Sequence, residues 1–415
     1  MRTRAKSAIS LIGAAVLCGC FPVAVPASAL TTRAPGARIL GPRAGQVVTA
    51  GAVYSFGAPG GDGKIRQLDR EVPTAVQEVP GRVVEVATSN SDSYALTSDG
   101  TVWAWGAGGH GELGDGPTPR YSGAPVEVDF PPGVRIASLP NPMPYNSGLA
   151  IDSRGHLWGW GYNPQGALCL RGGPLLWPEP VPASNVTMAS GAGDHVVFLS
   201  NGKVYACGLG MAGELGDGSR ASSPRPVAVA GLPSGVVSLV SSWQGSGALL
   251  SDGSYYDWGF NKEGQMGDGT TLDALVPVRV ALPGRVVQVW QGGSNAGNGQ
   301  TLALLANSSV WAWGAGSWGQ LGDGTARSSS VPVRVDLPAG LRFSQVCSGG
   351  DTSYALSSAG VLWSWGGNLF GQLGEGNSGG PRLVPEPVTG VRLAQISATA
   401  TNVAGLGFMK KGRTD

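Results

Sequence analysis

The chain has 415 residues, including 69 glycines and 30 prolines, and its 28 Lys and Arg residues nearly balance its 27 Asp and Glu residues, which leaves a formal net charge of +1. A protein that holds nucleic acid or an anionic membrane surface needs a clustered basic excess, so this balance excludes both as principal partners. The glycines follow no triplet period, which excludes collagen and indicates a fold with many turns.

Residues 1–29 are predicted to be an export signal. Arg2, Arg4 and Lys6 precede an apolar run at 8–16 that is too short to cross a bilayer as a stable helix. A basic start followed by a short apolar run is typical of a segment that sends the rest of the chain across a membrane. The predicted location is therefore extracellular or on the cell surface.

Two cleavage sites fit this segment. Leu-Cys-Gly-Cys at 17–20 resembles the lipobox of bacterial lipoproteins and would place a lipid on Cys20, whereas Ala-Ser-Ala at 27–29 resembles a signal-peptidase site. The first alternative anchors the protein through Cys20, its single expected contact with a membrane, and the second secretes it. Residues 30–45, rich in Pro, Gly, Ala and Arg, are predicted to be a flexible leader or tether.

From residue 46 to residue 408 the chain repeats one motif at intervals of about 50 residues, which is typical of a repeat architecture. The clearest copies read Val-Trp-Ala-Trp-Gly at 102–106 and 310–314, each followed by Leu-Gly-Asp-Gly, at 113–116 and 321–324. Seven units close a ring, so the predicted fold is all-β, a seven-bladed β-propeller with four-stranded antiparallel blades. The units are counted at Phe56–Gly57, Trp105–Gly106, Trp160–Gly161, Cys207–Gly208, Trp258–Gly259, Trp313–Gly314 and Trp365–Gly366.

Each unit reads as four short strands, because apolar residues alternate in short runs separated by Gly, Pro, Asn and Asp. In the second unit these runs are 82–86, 94–97, 102–105 and about 125–128, and the Ser-Asp-Gly link at 98–100 is typical of a tight hairpin. A Pro-Val step is predicted to open the last strand and to mark the outer edge of the blade, since proline cannot donate to a ladder. These prolines are Pro180, Pro226, Pro277, Pro332 and Pro387.

The two ends of the chain are predicted to complete one blade together. Residues 391–396 and 401–406 match the first two strands of a unit, and residues 51–57 and 72–73 match the third and fourth. A composite blade of this kind would remove an exposed sheet edge. Residues 409–415 are then a short tail.

Three cysteines follow the export signal, and an odd number allows at most one disulfide bond among them. Cys169 and Cys207, in neighbouring units, are the better-placed pair, and Cys347 lies further along the chain. The favoured interpretation is nevertheless that Cys207, which stands where most copies have Trp, is a small buried hydrophobic residue without a disulfide.

The order of strand, Ser-Asp-Gly turn, Val-x-x-Trp-Gly, Gly-x-x-Gly-x-Leu-Gly-Asp-Gly and Pro-Val resembles the regulator of chromosome condensation repeat family over residues 45–408, with departures at 166–169 and Cys207. The resemblance implies a seven-bladed propeller closed by its termini. The eukaryotic namesake of the family is a nuclear guanine-nucleotide exchange factor, a role against which an export signal argues. More distantly, the chain resembles the secreted propeller-type β-lactamase inhibitory proteins, which bind their enzyme through loops on one face.

Several motifs that can indicate chemistry are explained here as repeat turns. A dinucleotide site needs a helix after Gly-x-Gly-x-x-Gly, and none is predicted after the copies at 106–111, 208–213 and 314–319. Aspartate between glycines commonly bonds its own turn backbone. The acidic turn residues are Asp115, Asp217, Asp268, Asp323 and Glu375.

The three histidines also give little support to a chemical site. His110, His156 and His195 lie in three different units and have no metal-ligand spacing. Nine of the thirteen tryptophans occupy third-strand positions, where we expect them to pack between blades. We therefore predict no catalytic residue, no metal and no cofactor.

Aromatic and apolar residues on the loops of one face are the predicted binding residues. In a four-stranded antiparallel blade, the first-to-second and third-to-fourth connections emerge at the same end. Residues of this type are enriched at binding hot spots. The predicted set is His110, Tyr145, Tyr162, Met211, Trp243, Phe260, Trp290, Trp318, Leu369 and Phe370.

The predicted function is a monomeric, non-enzymatic module that binds or inhibits a partner protein through this face. One alternative is a guanine-nucleotide exchange activity, as the resemblance to the eukaryotic family member implies. The other is an extracellular carbohydrate-active or hydrolytic enzyme, for which His110 with a carboxylate from an adjacent loop would be the acid–base pair.

Overall fold

The computed structural model of the chain describes residues 79–89, 92–117, 121–140, 142–293, 299–369, 373 and 379–388, together with eight outlying strands at 38–39, 45–49, 52–57, 70–75, 392–393, 397–399, 402–404 and 407–408. The predicted export signal, the tail and most of the leader lie outside these residues. No helix among the described residues is long and apolar enough to cross a membrane.

Among the described residues, seven four-stranded antiparallel sheets, each built from strands that are consecutive in the chain, form blades 1 to 7. Blade 1 comprises Arg38–Ile39, Gly45–Thr49, Ala52–Gly57 and Arg70–Ala75; blade 2, Val83–Thr88, Asp92–Thr97, Val102–Gly106 and Ser122–Glu127; blade 3, Ile136–Ser138, Ser147–Asp152, Leu157–Gly161 and Leu175–Pro180. Blade 4 comprises Val186–Ala192, His195–Ser200, Lys203–Gly208 and Ser223–Ala228; blade 5, Val236–Ser242, Gly245–Leu250, Tyr255–Gly259 and Ala274–Arg279. Blade 6 comprises Val286–Gln291, Gln300–Leu305, Val310–Gly314 and Ser329–Arg334; blade 7, Phe343–Ser348, Thr352–Ser357, Leu362–Gly366 and Arg382–Pro387. A single turn of 3-10 helix, Pro164–Gly166, interrupts the strands within the described chain.

The fourth strand is the outer edge of each blade, as predicted. In blades 2 to 7 every residue of the second strand is buried, whereas the fourth strand is mostly exposed or half-buried. The prediction that a Pro-Val step opens this strand is wrong. Pro226, Pro277 and Pro332 lie inside it, and Pro180 and Pro387 end it. An edge strand tolerates them because one side of its ladder has no partner strand.

The hydrophobic core lies between neighbouring blades. Five of its clusters each combine buried side chains from two consecutive blades, from the blade 2–3 interface to the blade 6–7 interface. The core is therefore a series of thin layers, and a residue that faces the next blade has a repeated environment around the ring.

The terminal strands pair differently from the predicted composite blade. The first two strands of blade 1, Arg38–Ile39 and Gly45–Thr49, come from the N-terminal side, so the C-terminal segment supplies none of its four strands. Ser397–Thr399 pairs instead with Asn402–Ala404, and this hairpin lies between blade 1 and blade 7. The two ends of the chain therefore meet, but each keeps its own strands.

Candidate functional site

The repeated Trp-Gly step and the repeated Leu-Gly-Asp-Gly turn form one contact between neighbouring blades. The indole Nε1–H of the third-strand tryptophan donates to a backbone carbonyl in the turn of the preceding blade, and these tryptophans are fully buried. The bonds run from Trp160 to Glu112 at 2.9 Å, Trp258 to Glu214 at 2.9 Å, Trp313 to Gln265 at 2.7 Å and Trp365 to Gln320 at 2.9 Å. We call this contact the interblade latch. For these four tryptophans, the predicted packing role is confirmed.

The turn needs glycine at the latch. Gly322 has a φ of +66°, and a Cβ there would lie 2.6 Å from the Nε1 atom of Trp365. The left-handed backbone disfavours a larger residue, and the close approach of the indole ring leaves no room for one. Gly114, Gly216 and Gly267 hold the same position against the next blade's tryptophan.

A disulfide bond replaces the latch between blades 3 and 4. Cys169 stands at the latch glycine position with a φ of +61°, Cys207 stands at the tryptophan position, and the two are bonded. The favoured interpretation of Cys207 as a hydrophobic residue without a disulfide is therefore wrong. The cause is geometric, since the glycine and tryptophan positions touch in the other latches. Cys347 is free and buried, and burial raises the pKa of its thiol well above the ordinary value.

Three of the acidic turn residues have a structural role. The side chains of Asp217, Asp268 and Asp323 each accept the backbone N–H two residues further along, at 2.9 to 3.0 Å. This is the local turn bond that aspartate makes. Glu375 lies outside the described residues. Each Gly-x-Gly-x-x-Gly copy runs directly into its turn, with no helix in these described segments.

His110 contacts a carboxylate, but that carboxylate belongs to the repeat. The Nδ1 atom of His110 lies 3.1 Å from Glu112 Oε1, while the backbone N–H of His110 donates to Oε2 at 2.6 Å. Glu214, Gln265 and Gln320 accept the equivalent N–H in the later blades, at 2.8 to 2.9 Å. Because glutamine serves as well as glutamate, this position closes the turn and does not require an ionised carboxylate.

The other two histidines lie away from His110. His156 pairs with Asp152 at 2.9 Å on the hairpin between the second and third strands of blade 3, at the opposite end of the blade. His195 is buried, with Nε2 2.9 Å from the hydroxyl of Ser246, and burial lowers its pKa to about 4. Among the described residues no group of three or more His, Cys, Asp or Glu could hold a metal ion.

The strand order places the predicted binding loops on one face, which we call the loop face. The first-to-second and third-to-fourth connections of blades 2 to 7 emerge there, because consecutive strands are antiparallel. The hairpins between second and third strands and the links between blades emerge on the other side, the turn face.

Four of the predicted residues form a continuous chain of rings on the loop face, which we call the aromatic arc. The ring centroids of His110 and Tyr162 are 4.9 Å apart, those of Tyr162 and Tyr145 6.3 Å, and those of Tyr145 and Trp243 5.0 Å. These separations are typical of interacting aromatic pairs. The rings come from blades 2, 3 and 5, and all four side chains remain partly exposed. The arc is thus a preformed aromatic surface that crosses several blades.

Phe260 extends this surface at one end. It lines a shallow pocket with Trp243, and with the open solvent above it the pocket encloses about 240 Å³. Glycine backbone and polar side chains complete the wall: Ser242, Gln244, Gln265, Gly292, Gly293 and Gly299.

The remaining predicted residues have different settings. Met211 and Leu369 are 67% and 55% exposed, and Trp318 is half-buried. Trp290 does not lie on a loop: it is in the strand Val286–Gln291, 6% exposed, and its Nε1–H donates to the Ser348 carbonyl of blade 7 at 3.1 Å. Its side chain faces the next blade, so Trp290 is removed from the loop-face set. Phe370 lies outside the described residues.

Sequence reasoning missed two kinds of residue on this face. Leu272, in the third-to-fourth loop of blade 5, is 71% exposed and is the most exposed large hydrophobic side chain described. Beside it, Arg220 of blade 4 donates to the Met211 carbonyl at 2.8 Å and pairs with Asp273 at 2.9 Å. Leu272 could have been predicted by sorting the loops by face. The contacts of Arg220 could not, because they depend on how close two blades lie in the folded chain.

The fold and its contacts show that the protein is a β-propeller of tandem repeats. The repeated residues join neighbouring blades, and the loops carry side chains that differ from one repeat to the next. The model of the regulator of chromosome condensation (RCC1) repeat matches residues 99–139, 201–249, 252–303 and 307–356. The chain belongs to the RCC1-repeat propeller family.

The relatives are larger proteins. The chain is similar to the human E3 ubiquitin-protein ligase HERC2, with 30% identity over 341 residues, which are 78% of this chain and 7% of that protein. It is also similar to the ultraviolet-B receptor UVR8 of Arabidopsis thaliana, with 32% identity over 296 residues, covering 68% of this chain and 65% of that one. The chain therefore spans less than two thirds of each.

Two solved structures share the fold. Human WBSCR16 superposes with a TM-score of 0.69 at 23% identity, over 83% of this chain and 92% of that one. Prp20p from Saccharomyces cerevisiae superposes with a TM-score of 0.67 at 22% identity, over 82% and 86%.

Proposed function

We propose that this propeller is an exported or surface-anchored module that binds a partner protein through the loop face, and that it is not an enzyme. The observation that carries the proposal is the aromatic arc. Four rings from three blades meet at 4.9 to 6.3 Å while they stay partly exposed. Rigid exposed aromatics supply a large contact area at a low cost in conformational entropy, which is what a protein-binding surface uses.

The loop face also carries flexible apolar side chains. Met211, Leu272 and Leu369 are all more than half exposed. Exposed side chains of this kind on the same face as aromatic rings resemble the composition of protein interfaces, in which Met and aromatic residues are enriched.

Known relatives support a protein partner. The Prp20p structure is described together with its binding to Gsp1p and histones, and yeast RCC1 (Prp20) has been solved bound to Kap60. Gsp1p, histones and Kap60 are partners of that yeast protein. What is carried over to this chain is the use of a propeller of this family to bind proteins.

The proposal of a non-enzymatic role has its own support. His110 was the one candidate for acid–base chemistry, and its carboxylate neighbour Glu112 occupies a turn position that is Gln265 and Gln320 in other blades. Catalytic acid–base pairs need a carboxylate that is tuned for its task. Because glutamine makes the same hydrogen bond at this position in other blades, a structural role is favoured for Glu112.

Export is supported by the disulfide as well as by the predicted signal. The bond between Cys169 and Cys207 joins two blades within the described chain. Disulfides persist in oxidising compartments and are rare in reducing ones. The same bond would be unexpected in a propeller that works in the cytosol or nucleus.

The test is an affinity capture from cell envelope and culture medium with three forms of the protein. One is the wild type, the second carries Tyr145→Ala, Tyr162→Ala and Trp243→Ala, and the third is a matched control on the turn face with Arg154→Ala and Leu341→Ala. We expect a protein, identified by mass spectrometry, that the wild type and the control retain and the arc variant loses. Equal retention by the arc variant, or no selective protein at all, would contradict the proposal.

A further inference from the structure

A turn of blade 4 lies between Tyr145 and Trp243, two members of the aromatic arc. The backbone N–H of Tyr145, from blade 3, donates to the carbonyl of Gly193 at 2.8 Å. On the other side, a Cβ on Gly193 would lie 2.3 Å from the carbonyl oxygen of Trp243, from blade 5. Gly193 is therefore enclosed by the two residues whose rings meet at 5.0 Å. The next residue of the turn is Asp194.

Asp194 has an unusual carboxylate for this protein. Its side chain is only partly exposed, and burial raises its pKa above the ordinary value. Across the part of the chain that the structure describes, no hydrogen bond or ion pair engages the carboxylate. Its carbonyl is held, since it accepts the N–H of Leu209 at 2.8 Å. The turn is thus fixed while the charged group has no partner.

A carboxylate that loses hydration without gaining a partner costs free energy. The repeated turns avoid that cost, because Asp217, Asp268 and Asp323 each accept a hydrogen bond from their own turn. Titratable groups whose pKa is shifted by burial are found disproportionately at functional sites, and a bound ligand can supply the partner that such a group lacks.

The neighbouring rings present π-faces. Tyr145 and Trp243 meet at an interplanar angle of 73°, and Tyr145 and Tyr162 at 71°, so both contacts are T-shaped. In such a contact the edge of one ring meets the face of the other, and the edge-on ring keeps both faces clear of that neighbour. Tyrosine and tryptophan faces attract cations, and they attract guanidinium groups more often than ammonium groups.

We infer that Asp194, Tyr145 and Trp243 form a binding site for an arginine side chain of the partner protein. The planar guanidinium can pair with the carboxylate through its N–H fork while it stacks on an aromatic ring, which an ammonium group cannot do. The inference rests on the proposed function, because it gives the chemistry of the group that the arc receives.

The test uses full-length protein and two probes: the peptide N-acetyl-Gly-Arg-Gly-amide and its counterpart with citrulline, which keeps the shape of arginine without the charge. Binding is followed by NMR of the peptide. The variants are Asp194→Asn and Trp243→Ala, with Asp252→Asn as the matched control, because Asp252 is an exposed carboxylate of a hairpin on the turn face. We expect the arginine peptide to bind the wild type and the control equally, and each site variant at least about tenfold more weakly, a difference of about 1.4 kcal/mol.

Three results would overturn the inference: no binding of the arginine peptide to the wild type, equal binding of the citrulline peptide, or full affinity in Asp194→Asn. The melting temperature of each variant separates a lost site from a lost fold, and Trp243→Ala gives a second reading if Asp194→Asn is unstable. A protein partner captured through the arc by a chain that ignores arginine would leave the proposed function standing and remove this site alone.

Discussion

Two settings of tryptophan in this chain differ in burial, in hydrogen bonding and in whether they recur. The latch tryptophans, such as Trp313, are fully buried, and each donates its Nε1–H to the turn of the preceding blade. Trp243 lies on a loop, is partly exposed and contacts the ring of Tyr145. The first setting recurs around the ring and the second does not. Repetition therefore marks the residues that hold the propeller together, and departures from it mark the residues available for binding.

Aspartate shows the same division. Asp217, Asp268 and Asp323 recur at one turn position and bond their own backbone. Asp194 has a half-buried carboxylate without a hydrogen bond or ion pair in the described structure. In this fold the position of a residue relative to the repeat is more informative than its type.

The first prediction concerns the interblade latch and has the largest expected effect. Trp313→Ala removes a fully buried indole and its bond to the Gln265 carbonyl, so we expect a loss of about 3–5 kcal/mol in the free energy of unfolding. Trp243→Ala is the comparison variant and should lose less, about 1–3 kcal/mol, because its indole keeps part of its surface in water. Denaturant unfolding measures both. Similar losses of stability in the two variants would contradict the distinction between the latch tryptophans and Trp243.

The second prediction concerns the disulfide bond that replaces the latch between blades 3 and 4. Removing the bond with Cys169→Ser and Cys207→Ser should cost about 2–4 kcal/mol, because the bond closes a loop with a sequence separation of 38 residues. A peptide map without reductant should join the segments that contain Cys169 and Cys207 and leave Cys347 free. Unjoined segments would refute the assignment.

A third prediction restores the repeated contact in place of that disulfide. The Sγ atom of Cys207 lies 3.6 Å from the carbonyl oxygen of Ala167, which occupies the position of the latch carbonyls. The double variant Cys169→Gly with Cys207→Trp should therefore fold, and its unfolding should not respond to reductant. Cys207→Trp alone should be less stable than the double variant, because the side chain of Cys169 then occupies the space of the indole. The reverse order of stability would show that the two contacts are not equivalent.

The fourth prediction separates backbone strain from crowding at the latch. Gly231 and Gly322 have nearly the same φ, +67° and +66°, but a Cβ on Gly231 meets nothing within 4 Å, whereas one on Gly322 approaches the Trp365 indole to 2.6 Å. Gly231→Ala should cost about 1 kcal/mol through its backbone alone, and Gly322→Ala should cost about 1–3 kcal/mol more. Equal melting temperatures for the two variants would mean that the indole moves aside without cost.

Much of the fold could be predicted from the repeat. The period and the aromatic–glycine step gave the number of blades, and the alternation of apolar residues with turn residues gave four strands in each. The structural role of the turn aspartates followed from their position between glycines. The outer edge followed from proline, although the prolines proved to lie within or at the end of the strand instead of at its start.

The predictions that failed depended on contacts between units or on the exact end of a strand. The disulfide depends on the fact that the glycine position of one blade touches the tryptophan position of the next, so Cys169 and Cys207 had to be aligned on both positions at once. Trp290 was assigned to a loop because its strand extends one residue beyond it, to Gln291. Asp194 has no sequence signal, since its lack of a partner is a property of the assembled ring.

The central claim is that the loop face binds the partner protein and that the interblade latch stabilises the propeller. Its most direct test is the dissociation constant of the captured partner for Trp243→Ala and for Trp313→Phe, measured beside the melting temperature of each. The account predicts that Trp243→Ala weakens binding at least about tenfold at temperatures where it is folded, whereas Trp313→Phe melts earlier than the wild type but binds normally while folded. Wild-type affinity in Trp243→Ala, or an equal loss of affinity in both variants, would contradict it.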